Sequence, residues 1–231
     1  MADRPYTLLS CSMSIDGYLD TATDERLLLS NDADLDRVDA VRADSDAILV
    51  GAATVRNDNP RLLVRAPARR AERAARGLPP TPIKVTVTSR VRLDPRAEFF
   101  VTGDTEKLVY CPSDAVAAAR WRLGAVAKVI VDGGRRVDMC RLSEDLHERG
   151  VRRLMVEGGG SVHTQFLVAG LADELHLVVA PFFVGDSRAP RFVGDGHFPW
   201  NPDCHARLAE VRRIGDVVLL RYALSERFCQ D

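Results

Sequence analysis

The chain has almost no charge imbalance. Lys and Arg number 32 against 33 Asp and Glu, a formal net charge of −1, so no long-range field draws it to nucleic acid or to an anionic membrane. Any anion recognition has to be local. Its five cysteines, Cys11, Cys111, Cys140, Cys204 and Cys229, are odd in number and form no C-x-x-C pair, which argues against a disulfide framework and for the reduced thiols of a cytoplasmic protein. The five histidines show no H-x-x-x-H or H-E-x-x-H spacing, so no metal site is expected. The apolar runs of "MADRPYTLLSCSMSIDG" are too short and too interrupted for a secretory signal or a spanning helix, and the expectation is an untargeted cytosolic chain. Also missing are G-x-x-x-x-G-K-[ST], a G-x-G-x-x-G after the first strand, and G-x-S-x-G. Their absence excludes a P-loop NTPase, a standard dinucleotide fingerprint and a nucleophile elbow.

What is present supports one large core: 231 residues, 46% of them hydrophobic. Short aliphatic runs recur as "YTLLSC", "AILVG", "IKVTVTS", "KLVYC", "KVIVD", "RLMVE" and "LHLVVAP", continuous rather than alternating, as in strands covered on both faces. Helical stretches such as "NDADLDRVDAVRAD", "SDAVAAARWRLGAV", "MCRLSEDLHERG" and "SVHTQFLVAG" lie between them. This alternation predicts an α/β fold with a largely parallel sheet. The C-terminal "RLAEVRRIGDVVLLRYAL" reads as two strands joined at Ile214-Gly215-Asp216, an antiparallel hairpin. The Arg/Ala-rich and then Pro-rich stretch 65–82 reads as an excursion within a single domain spanning 1–231. Its Arg69, Arg70, Arg73 and Arg76, interspersed with Glu72 and lacking an aromatic residue for base stacking, read as a solvated helix face rather than an RNA surface.

Three stretches carry candidate chemistry. In "GAATVRNDNPRLLVR" a glycine at a strand end places Thr54 near the carboxyl edge of the sheet, where α/β proteins hold their ligands. Arg61 and Arg65 beyond the Asp58-Asn59-Pro60 turn are either a fork for a phosphate or an ordinary charged turn. In "TVTSRVRL", Ser89, Arg90 and Arg92 follow a strand, and a hydroxyl with a guanidinium there suits a 2′-phosphate as well as it suits a plain strand exit. "VEGGGSVHTQF" sets three glycines between Glu157 and a helix start, the pattern of an anion cradle. Asp16-Gly17 in "SMSIDGYL" marks a turn after the first strand, and His163 and His176 read as structural or surface residues.

Taken in order, "SMSIDGYL", "AILVGAATVRNDNPRLLVR", "IKVTVTSRVRL", "RRLMVEGGGSVHTQFLVAGLADELHLVVAPFFVG" and "DGHF" resemble the riboflavin-biosynthesis pyrimidine reductases, from about Tyr6 to Tyr222. The resemblance implies a dihydrofolate reductase-like three-layer sandwich, a homodimer, and NADPH-dependent reduction of a ribosylaminopyrimidine 5′-phosphate, with hydride delivered to C1′ of the sugar. It leaves both the deaminated and the diamino pyrimidine open as substrate. It implies cofactor contacts at Met13, Leu28, Thr54, Asp58, Ser89, Arg90, Gly159, Gly160, Ser161, Val162, His163, Thr164 and Gln165, and substrate contacts at Arg26, Arg42, Leu62, Arg65 and Glu157. Asp58 or Asp16 is the nearest candidate for moving a proton. A non-proline cis peptide is expected within Gly158-Gly159-Gly160. The H-x-E and P-C-x-x-C of the zinc deaminase that precedes many bacterial relatives are absent, so no deaminase domain is expected. Two other readings stand beside this one: a reductase of the same fold acting on another pteridine or pyrimidine, and a non-catalytic nucleotide-binding module.

Overall fold

A computed structural model describes residues 3–23 and 27–228. In chain order the elements are β1 (Tyr6–Ser14), α1 (Asp32–Ala43), β2 (Ala47–Gly51), α2 (Ala52–Asp58), α3 (Pro67–Ala75), β3 (Ile83–Val87), α4 (Glu98–Val101), β4 (Lys107–Cys111), a short 3-10 turn (Ser113–Ala115), α5 (Val116–Leu123), β5 (Lys128–Val131), α6 (Met139–Glu148), β6 (Arg153–Gly158), α7 (Gly160–Val168), β7 (Glu174–Ala180), β8 (Arg207–Ile214) and β9 (Val217–Ala223). The strands run β5-β4-β3-β2-β6-β1-β7-β9-β8. The chain divides into two compact units, one of Met1–Pro5 with Asp39–Met155, the other of Tyr6–Val38 with Val156–Asp231.

In the first unit β2, β3, β4 and β5 pair in parallel. All five residues of β2 are buried, which is why its sequence is an unbroken aliphatic run and not an alternating one. α3 starts at Pro67, whose fixed φ suits a first helical position. The solvated-face reading of its arginines fails at Arg73. That side chain is only 2% exposed, and its guanidinium donates to the carbonyls of Ala43 at 2.6 Å, Ser45 at 2.7 Å and Pro79 at 2.8 Å. The cause lies in α1, whose last carbonyls have no intrahelical partner and need a donor from outside. Arg69 and Arg70 are half-buried, donating to the Asp39 carboxylate and the Val64 carbonyl, and Arg76 alone stays exposed. Arg73→Met is therefore expected to destabilise the protein by roughly 2–4 kcal/mol through stranded carbonyls, read as a lowered urea midpoint; an unchanged midpoint would show the contacts to be worth nothing net.

In the second unit β1 and β7 pair in parallel from Leu8↔Glu174 to Ser14↔Ala180. β1 thus runs three residues past its apolar run, because the ladder also holds Ser12, Met13 and Ser14. β9 pairs antiparallel with β7 and with β8, closing the expected hairpin through Gly215 at φ 63°. Val178, Val217 and Leu219 pack with Ile214 in a small core. A buried polar knot joins β1, β7 and β9: the Glu174 carboxylate accepts from Tyr6, His176 and Arg221 at 2.7–2.9 Å. Burial alone would raise the Glu174 pKa, but these donors outweigh it and hold it at about 2. His176, 3.0 Å from the Arg37 guanidinium on its other nitrogen, is a structural residue of that knot.

Candidate active site

In the first unit, β2 ends at Gly51, whose extended backbone precedes α2. Thr54 is half-buried on α2 and Asp58 is exposed in its last turn. Asn59 then takes a left-handed φ of 43°, and Leu62 one of 49°, conformations that side chains other than glycine seldom adopt. The Leu62 side chain is 2% exposed; it anchors the loop from inside, so only its backbone is offered to a ligand. Ser89 and Arg90 are exposed after β3, in a turn held by the Thr88 hydroxyl, which accepts from the Val91 N–H at 3.0 Å.

The loop after α2 also gathers the two arginines assigned to a phosphate. Arg42 donates to the Leu63 carbonyl at 3.2 Å, and Arg65 stands two residues further along with its side chain 54% exposed. Arg61 turns elsewhere, toward Glu98 at 3.5 Å. The residue that organises this loop was not singled out from the sequence. Asp39, 2% exposed on α1, accepts the N–H groups of Arg65 at 2.5 Å and Ala66 at 3.0 Å, together with the Arg69 guanidinium at 3.0 Å. Burial pushes its pKa up, yet the N–H donors and Arg69 more than offset that and leave it lowered. Twenty-six residues separate Asp39 from Arg65, and nothing in local spacing marks the pair.

In the second unit, β6 carries half-buried Glu157 next to Gly158, which has φ 124°. The Gly158–Gly159 bond is cis, as expected of this triplet. Gly159 is the extended N-cap of α7, and Gly160 begins the helix. Ser161 and Gln165 are exposed on α7 and bonded to each other, Gln165 Nε2 donating to the Ser161 carbonyl at 3.0 Å. Thr164 donates to the Gly160 carbonyl at 2.7 Å and accepts the Gly194 N–H at 2.9 Å. Val162 and His163 are 5% and 0% exposed, so these two positions face inward. Both ring nitrogens of His163 lack a hydrogen-bond partner, and burial lowers its pKa to about 4, which keeps it neutral. Met13 is half-buried near the end of β1, and Leu28 is 69% exposed. Arg26 lies outside the described residues.

The chain matches the RibD C-terminal domain family over residues 5–220. It belongs to that family. A 2,5-diamino-6-ribosylamino-4(3H)-pyrimidinone 5′-phosphate reductase of Archaeoglobus fulgidus is 36% identical over 225 residues, covering 97% of this chain and 99% of the relative. One of the same name from Methanothermobacter thermautotrophicus is 36% identical over 227 residues, covering 96% and 99%. The fold is shared with a pyrimidine reductase-like protein from Corynebacterium diphtheriae at TM-score 0.79 and 23% identity, over 95% of this chain and 91% of that one.

In this RibD C-terminal domain Asp16 is tied into the turn after β1. Its carboxylate accepts the Ser14 hydroxyl at 2.5 Å and the N–H groups of Val184 and Gly185 at 2.8–3.2 Å. Partial desolvation raises its pKa, but these donors dominate and bring it to about 2. With its oxygens already held by these three donors, Asp16 pins the β1 turn.

Proposed function

We propose that the chain reduces 2,5-diamino-6-ribosylamino-4(3H)-pyrimidinone 5′-phosphate to its ribitylamino counterpart with NADPH. The observation that carries this is the near full-length match, at 36% identity, to two relatives that bear that reductase's name. Homodimerisation and a cytoplasmic location belong to the same reading; among the described residues no helix is long and apolar enough to cross a membrane.

The glycine turn suits a dinucleotide. A side chain on Gly160 would run into the Arg191 carbonyl oxygen and meet that of Phe192 at 3.3 Å, so the backbone there is bare, and the first N–H groups of α7 have no intrahelical partners to claim them. NADPH, when bound, supplies the hydride that adds to C1′ as the ribosyl ring opens and the ring oxygen takes up a proton. In this proposal Gly159, Gly160 and the first turn of α7 hold the pyrophosphate, and Thr54, Ser89 and Arg90 make further cofactor contacts. Glu157 accepts from the pyrimidine's N–H and amino groups. Arg42 and Arg65 bind the sugar phosphate as charge-assisted donors. Asp58 is the candidate for passing the proton.

The test is an assay of the purified protein with the diamino and deaminated pyrimidines, each with NADPH and NADH, following the nicotinamide absorbance. The expected result is turnover of the diamino compound with NADPH. No turnover with either pyrimidine would overturn the activity, and a preference for the deaminated one would overturn the substrate. Asp58→Asn is expected to lower kcat at least tenfold; a change confined to the KM for NADPH would make Asp58 a binding residue.

A further inference from the structure

A pocket of about 540 Å³ on the first unit is not used by any of these roles. It is lined by Val55 and Leu93, by four arginines, Arg56, Arg92, Arg96 and Arg122, and by Asn59, Ala97 and a single carboxylate, Asp94. The arginines come from three separate segments: α2, the loop after β3, and α5. Among the described residues none of the four has a salt-bridge partner, whereas the nearby Arg61, Arg65 and Arg69 all do. Asp94, whose Oδ1 accepts the Arg96 backbone N–H at 2.9 Å, offsets at most one of the four positive charges. Arg122 is held in place by the Leu93 carbonyl, to which its Nε donates at 2.5 Å, leaving its terminal N–H groups for a ligand. Asn59 is likewise fixed through its Oδ1, which accepts the Glu98 N–H at 2.7 Å, so its amide donors remain.

Four like charges around one concavity make it attractive to an anion that several of them can share. Guanidinium groups are the side chains best suited to hold phosphate oxygens in pairs. The volume falls within the range of small-molecule sites, and the four guanidinium groups suit a ligand with a phosphorylated end. The geometry points to a second binding site on this chain, for a small molecule carrying a di- or triphosphate group.

None of the proposed cofactor contacts Thr54, Asp58, Ser89 and Arg90 lines this pocket, while Asn59 and Arg92 adjoin them in sequence, so the test is made with NADPH already bound. An α-helix advances about 100° per residue, so Thr54 and Asp58 share one face of α2 while Arg56 lies roughly 160° round from both. Neither Arg42 nor Arg65 lines the pocket.

The probes are inorganic pyrophosphate and ADP, titrated calorimetrically into protein saturated with NADPH at physiological salt. Binding of one equivalent is expected, weakened at least tenfold in the Arg56→Gln/Arg122→Gln double variant and unchanged in Arg213→Gln, an exposed control on the second unit. Tighter binding of ADP supports a nucleotide whose base rests on Val55 and Leu93; equal binding supports a site for the phosphates alone. Because Arg56 and Arg122 are exposed, the double variant should keep its melting temperature and its turnover. No binding, binding lost on saturation with NADPH, or binding indifferent to the double substitution would each overturn the site.

Discussion

Gly160→Ala is expected to raise the KM for NADPH at least tenfold, with a smaller change in kcat, and to lower stability by about 1–3 kcal/mol. The added methyl group has nowhere to go, because what it meets is backbone: the carbonyl oxygens of Arg191 and, at 3.3 Å, Phe192. That strand of chain is fastened on both sides of the contact. Leu19 N–H donates to the Pro190 carbonyl at 2.8 Å, Phe192 N–H donates to the Gly17 carbonyl at 3.1 Å, and the Arg191 guanidinium lies 4.9 Å from the centre of the Tyr18 ring. With the 190–192 segment pinned, the first turn of α7 has to move instead. Its displacement takes with it the N–H groups proposed to hold the pyrophosphate, and contacts at this distance tolerate shifts well under an ångström. Val168→Ala, exposed at the far end of α7, is the control and should leave both constants near those of the parent. A Gly160→Ala protein with an unaltered KM would show that the α7 N-terminus does not hold the cofactor.

The framework around that turn was legible because it is written in local patterns. Each parallel strand announced itself as an aliphatic run such as "AILVG" or "KLVYC", and the hairpin through its Ile214-Gly215-Asp216 turn. The glycine triplet was equally plain, since only glycine serves where the backbone must bend and lie bare. What escaped is held by contacts between distant positions. Arg73 looked like one member of a surface charge run, and no helical periodicity marks it as the donor to α1's last carbonyl, thirty residues back in the chain. His163 carries a polar ring on a helix start, yet its side chain is enclosed, and the only hint was the apolar company of Val162 and Phe166. Asp16 was read for its charge and proximity, while the backbone donors that fix it come from Val184 and Gly185, far along the sequence. Local propensity is visible in one sequence without relatives; the partner of a buried charge is not.

Asp39→Asn should show the second large effect, a loss of roughly 2–4 kcal/mol at neutral pH. The carboxylate accepts two backbone N–H groups and the Arg69 guanidinium at once, with Arg65 Nε a further 3.7 Å away. An asparagine keeps one acceptor oxygen and turns an NH₂ toward donors, so at least one buried N–H is left unmet and one ion pair is lost. Since those N–H groups belong to Arg65 and Ala66, the loop that presents Arg65 loosens, and the KM for the phosphorylated substrate should rise while that for NADPH holds. The pH dependence follows from the direction of the shift. The Asp39 pKa is lower in the folded protein than in the unfolded chain, so its stabilisation is full above the unfolded value of about 4 and fades as pH falls through the folded value. Urea unfolding of the two proteins should therefore diverge most near pH 7 and converge below about pH 4. A gap that stayed constant as the pH fell well below 4 would mean that shape, and not the carboxylate's charge, accounts for the difference. A double-mutant cycle with Arg69→Gln separates the remaining terms: strong coupling assigns the energy to the ion pair, and simple additivity assigns it to the two backbone donors.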